Sequence, residues 1–134
     1  MKKVLCFGTF DILHKGHEEF LIDAKAHGDF LIVIIVSDKL AYENKKRFPR
    51  NNQKARAINL KKLGLADRII AVSDNKEDNL KLIKKINPDI IVFGYDQNSN
   101  FIKELKKFLK KEGIKIKYYK SKEFAEGIHS SLIN

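Results

Sequence analysis

Two histidines three residues apart follow a short apolar run in the segment Gly8-Thr9-Phe10-Asp11-Ile12-Leu13-His14-Lys15-Gly16-His17. Residues with this spacing share a face in the first turn of a helix. A helix start also offers unpaired N–H groups and the positive end of the macrodipole to an anion. With Gly8 letting a ligand approach the backbone and a hydroxyl at Thr9, the segment has the parts of a phosphate cradle. On spacing alone the histidines also read as solvated surface residues, as polar helix caps, or as half of a metal site. A metal site asks for Cys, Asp or Glu partners at recognisable intervals, and His27 and His129 supply none, so no metal ligand is assigned. The dinucleotide-binding glycine pattern and the P-loop are both absent.

The elements that must hold these residues are legible as a βα alternation. Lys3 to Phe7 reads as a strand ending at Gly8, and Phe30 to Ser37 as a strand buried on both faces. Between them, Gly16 to His27 places Phe20, Leu21 and Ala24 on one stripe, with Gly28 as a left-handed cap. Further helices are predicted over 51–63 (ending near Gly64), 76–86 and 101–112 (closed by Gly113), and further strands over 68–72, 89–93 and 114–119. Residues 39–52, charged and apolar-poor, read as a mobile loop. The expectation is a single α/β domain over 1–134, a Rossmann-like, doubly wound, five-stranded parallel sheet. Ligands of such sheets bind beyond the carboxyl ends of the strands, so the loops after Phe7, Ser37, Phe93 and Tyr119 should face one site.

The decapeptide Gly8 to His17 resembles the HxGH signature of the cytidylyltransferase-like nucleotidyltransferases, and the similarity covers nearly the whole chain. Arg47-Phe48-Pro49 with Arg56 resembles that family's basic loop and helix start. Gly94-Tyr95-Asp96-Gln97 follows the fourth strand, and Glu126-Gly127-Ile128-His129-Ser130-Ser131 is similar to its closing segment. The resemblance implies the nucleotidyltransferase type of α/β fold and attack by an acceptor phosphate on the α-phosphorus of a nucleoside triphosphate, with Mg²⁺, releasing pyrophosphate. His14 and His17 would then be catalytic. Gly8, Thr9, Phe10, Lys15, Lys46, Arg47, Arg56, Gly94, Asp96, Ser130 and Ser131 would bind the nucleotide, with Lys15, Lys46, Arg47 and Arg56 on the distal phosphates. Asp11 reads as a cap on loop N–H groups. Asp38 and Asp96 each sit where a carboxylate takes ribose hydroxyls or forms a turn.

Two branches of the family fit this length: glycerol-3-phosphate cytidylyltransferases and archaeal-type FAD synthases. The Gly94-Tyr95-Asp96-Gln97 segment is similar to the second. Members of the first carry arginines where this chain has Gly64 and Phe124. ATP and FMN are therefore the expected substrates, with a sugar phosphate or phosphopantetheine as other acceptors. The acceptor pocket has no sequence signature.

Composition bounds the rest. The net charge of +10 suits any polyanionic partner, whether nucleic acid, membrane surface or phosphorylated small molecule. A nucleic-acid-binding module is the reading from another class, but no helix-turn-helix, RRM or zinc pattern supports it. Lys103, Lys106, Lys107, Lys110 and Lys111 follow helical spacing around Leu105 and Phe108-Leu109, which reads as a solvated helix face. Cys6, alone and within an apolar run, reads as a core residue in a reducing compartment. The apolar run after Met1-Lys2-Lys3 is too short for a signal peptide or a membrane span, so a cytoplasmic protein is expected. Small members of the family are often homodimers.

Overall fold

The computed structural model describes residues 1–122 apart from Asp96, Asn98 and the side chain of Ser99. Five strands, β1 (Lys3–Gly8), β2 (Phe30–Ile35), β3 (Arg68–Ala71), β4 (Ile90–Phe93) and β5 (Lys117–Lys120), pair in the order β3-β2-β1-β4-β5. All four pairings are parallel, with Cys6 opposite Val33, Leu5 opposite Ile91 and Ile91 opposite Tyr118. The helices are α1 (Lys15–Ala26), α2 (Asp38–Lys45), α3 (Gln53–Lys62), α4 (Lys76–Ile86) and α5 (Ser99–Lys111). Among the described residues no helix is long and apolar enough to cross a membrane.

A parallel sheet wound on both faces has no solvated side, which is why β1, β2 and β4 are contiguous apolar runs. Val4, Cys6, Leu31, Val33 and Val92 face α1 and α3 through Phe20, Leu21, Ala24 and Leu60. Leu5, Phe7, Ile32, Ile91 and Phe93 face α4 and α5 through Ile83, Leu105 and Leu109. Truncating one such buried leucine or isoleucine to alanine costs roughly 2–5 kcal/mol. The lysines of α5 at 103, 106, 107, 110 and 111 are exposed opposite Leu105 and Leu109, and Lys106 Nζ stands 4.8 Å from the centre of the Tyr118 ring. Cys6 is buried, and burial pushes its thiol pKa up, which removes it as a nucleophile.

Register is fixed at the amino edge by three aspartates, each immediately preceding a strand. Asp29, Asp67 and Asp89 donate their N–H groups to the carbonyls of Lys2, Leu31 and Lys3, all at 2.9 Å. Each returns a carboxylate oxygen to the N–H of the same residue at 2.8 Å. The junctions β1/β2, β2/β3 and β1/β4 are thus each closed by a two-way clasp.

Three expectations change. Residues 39–52 are not all loop, since α2 occupies the first part. Ser37 Oγ caps it by accepting from Leu40 N–H at 3.1 Å, Leu40 and Ala41 are buried beneath it, and Lys46 ends it in the left-handed region (φ 61°). Gly28 is not a left-handed cap: His27 caps α1 in the right-handed region, and a Cβ on Gly28 would lie 2.7 Å from Val4 Cγ2 and 2.9 Å from the Lys2 carbonyl. The fifth strand is shorter than expected, beginning at Lys117, while Ile114 and Ile116 pack against the core from the preceding turn.

Candidate active site

The chain winds outward from β1 in both directions, so a crevice opens where β1 and β4 part, beyond their carboxyl ends. Side chains bridge the strand ends around it. Gln97 accepts the Gly94 N–H at 2.6 Å and donates to the Phe7 carbonyl at 3.3 Å, joining β4 to β1. Gln53 Nε2 donates to the carbonyls of Ile35 and Val72, joining β2 to the chain just after β3. Neither glutamine's bridging role is carried by a sequence signal, because an isolated amide in a polar segment looks like any surface residue.

Arg56 makes the third and largest bridge. Its side chain is 0% exposed. Nε donates to the Asn51 carbonyl at 3.1 Å, Nη1 to Thr9 at 2.7 Å, and Nη2 to Val36 at 2.9 Å and Asp38 Oδ1 at 2.7 Å. Four of the five donors of a guanidinium are thereby used. Arg56 therefore does not present its charge to the crevice as a distal-phosphate ligand; it ties the exits of β1 and β2 to the loop before α3. Asp11, also buried, works toward the same loop, accepting the N–H groups of Arg50 at 2.7 Å and Asn51 at 2.9 Å. The expected capping role of Asp11 is met, on a segment some forty residues away.

The signature turn folds onto its own glycine. Phe10 adopts φ 50° and its ring enters the core cluster, 5.6 Å from the His17 ring. A Cβ on Gly8 would lie 2.6 Å from Phe10 Cε2. The Phe10 ring thus fills the space that a side chain at Gly8 would need, and it supports the turn from beneath. Thr9 is half-buried, with its carbonyl engaged by Arg56.

His14 and His17 meet as expected, with ring centroids 4.0 Å apart. They also form a reciprocal cap: His14 Nδ1 accepts from Gly16 N–H at 3.0 Å, and His17 Nδ1 accepts from His14 N–H at 3.3 Å. The cap reading and the phosphate reading are compatible, because each cap bond uses Nδ1 and not Nε2. An Nδ1 that accepts from a backbone N–H carries no proton, so both neutral rings are assigned the Nε2–H tautomer and become donors there. Among the described residues, His14 Nε2 is buried without a hydrogen-bond partner. Burial also holds the His14 pKa below its ordinary value, favouring the neutral ring that the cap requires. An orphaned buried N–H is rare enough to call for a ligand, and an anionic oxygen would satisfy it. Backbone N–H groups contribute less than expected, since those of Gly16 and His17 are already used within the cap.

Lys15, Lys46 and Arg47 are exposed at the same edge, and Lys15 makes a long pair with Glu19 at 3.9 Å. Gly94 lies at the end of β4 on the crevice. Asp96, Ser130 and Ser131 lie outside the described residues. Among the described residues no three His, Cys, Asp or Glu side chains converge as a metal site.

A doubly wound sheet with a histidine pair at the first helix start, beside the switch-point crevice, defines the class as a nucleotide-binding α/β domain of nucleotidyltransferase type. Residues 5–134 match the family model described as cytidylyltransferase-like, and the chain belongs to that family. Among curated relatives, the FAD synthase of Thermococcus sibiricus is 42% identical over 112 residues, 84% of this chain and 74% of that protein. The FAD synthase of Aciduliprofundum boonei is 38% identical over 126 residues, 94% and 82% of the two chains. Among solved structures, the lipopolysaccharide core biosynthesis protein of Thermoplasma volcanium superposes with a TM-score of 0.82 at 32% identity, covering 92% of this chain and 98% of its own.

Proposed function

We propose that this chain transfers AMP from ATP to the phosphate of FMN, giving FAD and pyrophosphate. Identity of about two residues in five with FAD synthases, across most of both chains, is the observation that carries this reading. The nucleoside of ATP enters the crevice between β1 and β4, beside Gly94 and Gln97. Its phosphates run to the start of α1, where the Nε2–H group of His14 donates to an oxygen on which charge builds and His17, its ring 4.0 Å away, shares that catalytic face. An acceptor phosphate oxygen attacks the α-phosphorus, the bond to the bridging oxygen breaks, and pyrophosphate leaves. Fixed donors of this kind accelerate such transfers by stabilising the charge of the transition state. Lys15, Lys46 and Arg47 offset phosphate charge, while Arg56 and Asp11 hold the loop that carries two of them. A divalent cation would neutralise charge on the triphosphate, Mg²⁺ by its octahedral fit to phosphate oxygens.

The test is a matrix of Mg-ATP and Mg-CTP against FMN, glycerol 3-phosphate, a sugar 1-phosphate and phosphopantetheine, with products separated by chromatography. FAD from ATP and FMN is the expected product. CDP-glycerol without FAD would overturn the substrate assignment, and no product from any pair, in a folded protein that binds no triphosphate, would overturn the enzyme reading.

A further inference from the structure

We propose that Tyr42 and Phe48 form a stacking platform for the planar ring of the acceptor, a tricyclic flavin; this rests on the proposed function. The two rings stack on each other with centroids 4.6 Å apart and planes 29° from parallel. They nevertheless remain open to solvent, Phe48 at 66% and Tyr42 at 41%. The left-handed cap of α2 at Lys46 turns the chain back, which lets Phe48 lie on a ring six residues earlier. A single exposed aromatic is ordinary. A preformed stack of two, presented from a turn whose far end is bonded to the signature loop, has the form of a recognition surface.

Its position selects the acceptor over the nucleoside. Arg50, two residues and at most about 7 Å of chain beyond Phe48, donates its N–H to Asp11, three residues before His14. The nucleoside crevice lies between β1 and β4, whereas α2 springs from the end of β2 on the opposite side of β1. A ring resting on Phe48 therefore belongs to the other substrate, with the phosphates of both meeting between them. The charge also fits: Lys45, Lys46, Arg47 and Arg50 surround Phe48 with no acidic residue from 44 to 52, complementing an acceptor that carries a phosphate dianion. A flexible polyol arm between ring and phosphate, as in FMN, spans such a gap where a compact acceptor such as glycerol 3-phosphate leaves the rings uncovered.

The experiment compares wild type, Phe48→Ala, Phe48→Tyr and Tyr42→Ala in the full chain, by initial rates with FMN and ATP varied separately and by fluorescence of bound flavin. Stacking of a planar base on an aromatic is worth about 1–3 kcal/mol, or roughly five- to 150-fold. Phe48→Ala should therefore raise the KM for FMN at least about fivefold, leaving that for ATP within about twofold, and Phe48→Tyr should restore it. Flavin fluorescence should be quenched on binding to wild type and brighter when bound to Tyr42→Ala. An unchanged KM for FMN, or a change confined to ATP, would overturn the platform while leaving FAD synthesis intact. So would a shift from dimer to monomer in Phe48→Ala by sedimentation without a change in FMN kinetics, which would make the rings a self-association surface. Wild type that makes no FAD at all would bring down the underlying reading, and the platform with it.

Discussion

Replacing Arg56 by alanine separates a residue that holds the site together from one that binds phosphate. Truncation removes a fully buried guanidinium and leaves the carbonyls of Thr9, Val36 and Asn51 without their donor. Asp38 is 43% exposed and rehydrates, so its half of the ion pair contributes little. Hydrogen bonds to a charged group are worth roughly 1.5–3 kcal/mol each, but water entering the vacated space recovers part of three such losses. That recovery brings the loss over the three carbonyls to about 3–5 kcal/mol. For a chain between the small and mid-sized classes, about 3–4 °C of Tm follows each kcal/mol, so Tm should fall by roughly 10–20 °C. Differential scanning calorimetry with and without ATP measures this, and calorimetric titration of ATP and AMP should show both ligands weakened alike. A Tm within a few degrees of wild type, together with a loss confined to ATP, would refute the buried-bridge argument and return Arg56 to the phosphates.

His14→Asn should retain the helix cap, since asparagine is among the best capping residues, while lowering kcat at least tenfold by removing the Nε2–H donor; His14→Ala should lose the cap as well, about 1 kcal/mol measured by chemical denaturation. Because burial lowers the pKa of folded His14 from an ordinary 6.5, both states are neutral above that pH and the unfolded chain takes up the proton first below it. Stability should therefore fall as pH drops below about 6.5, by thermal melts across pH 5–8, and the slope should be shallower in His14→Asn. Gln97→Ala should loosen the β1/β4 crevice, raising the KM for ATP several-fold at a stability loss of about 1 kcal/mol; unchanged ATP kinetics would make Gln97 a strand tie without a role in binding.

The sheet was legible because a doubly wound parallel strand has no polar face: FLIVII and IIVF admit few other readings. The histidine pair was legible from its spacing after a glycine. Helix α2 was not, because only Leu40 and Ala41 are buried in it and its charged residues hide the period; Ser37 was the available signal, as a capping serine three residues before a leucine. Arg56 misled for a physical reason, since a charge in sequence implies solvent unless buried acceptors are known, and two of those acceptors, Thr9 and Val36, are distant along the chain. The packing constraint at Gly8 was not legible either, because the ring that fills the space beside it arrives only through the positive φ of Phe10.

The aspartate clasps at the amino edge bear on how this fold can be remodelled. Asp29, Asp67 and Asp89 fix the alignment of the four strands β1 to β4 from the edge opposite the chemistry, using contacts that no crevice residue shares. Slippage by one residue would turn every inward side chain outward, and the clasps oppose it whatever sequence occupies the loops above. Acceptor loops can therefore be grafted between members with the strand frame kept constant, and a chimaera that keeps these three aspartates should fold where one that exchanges them, at equal loop identity, should not.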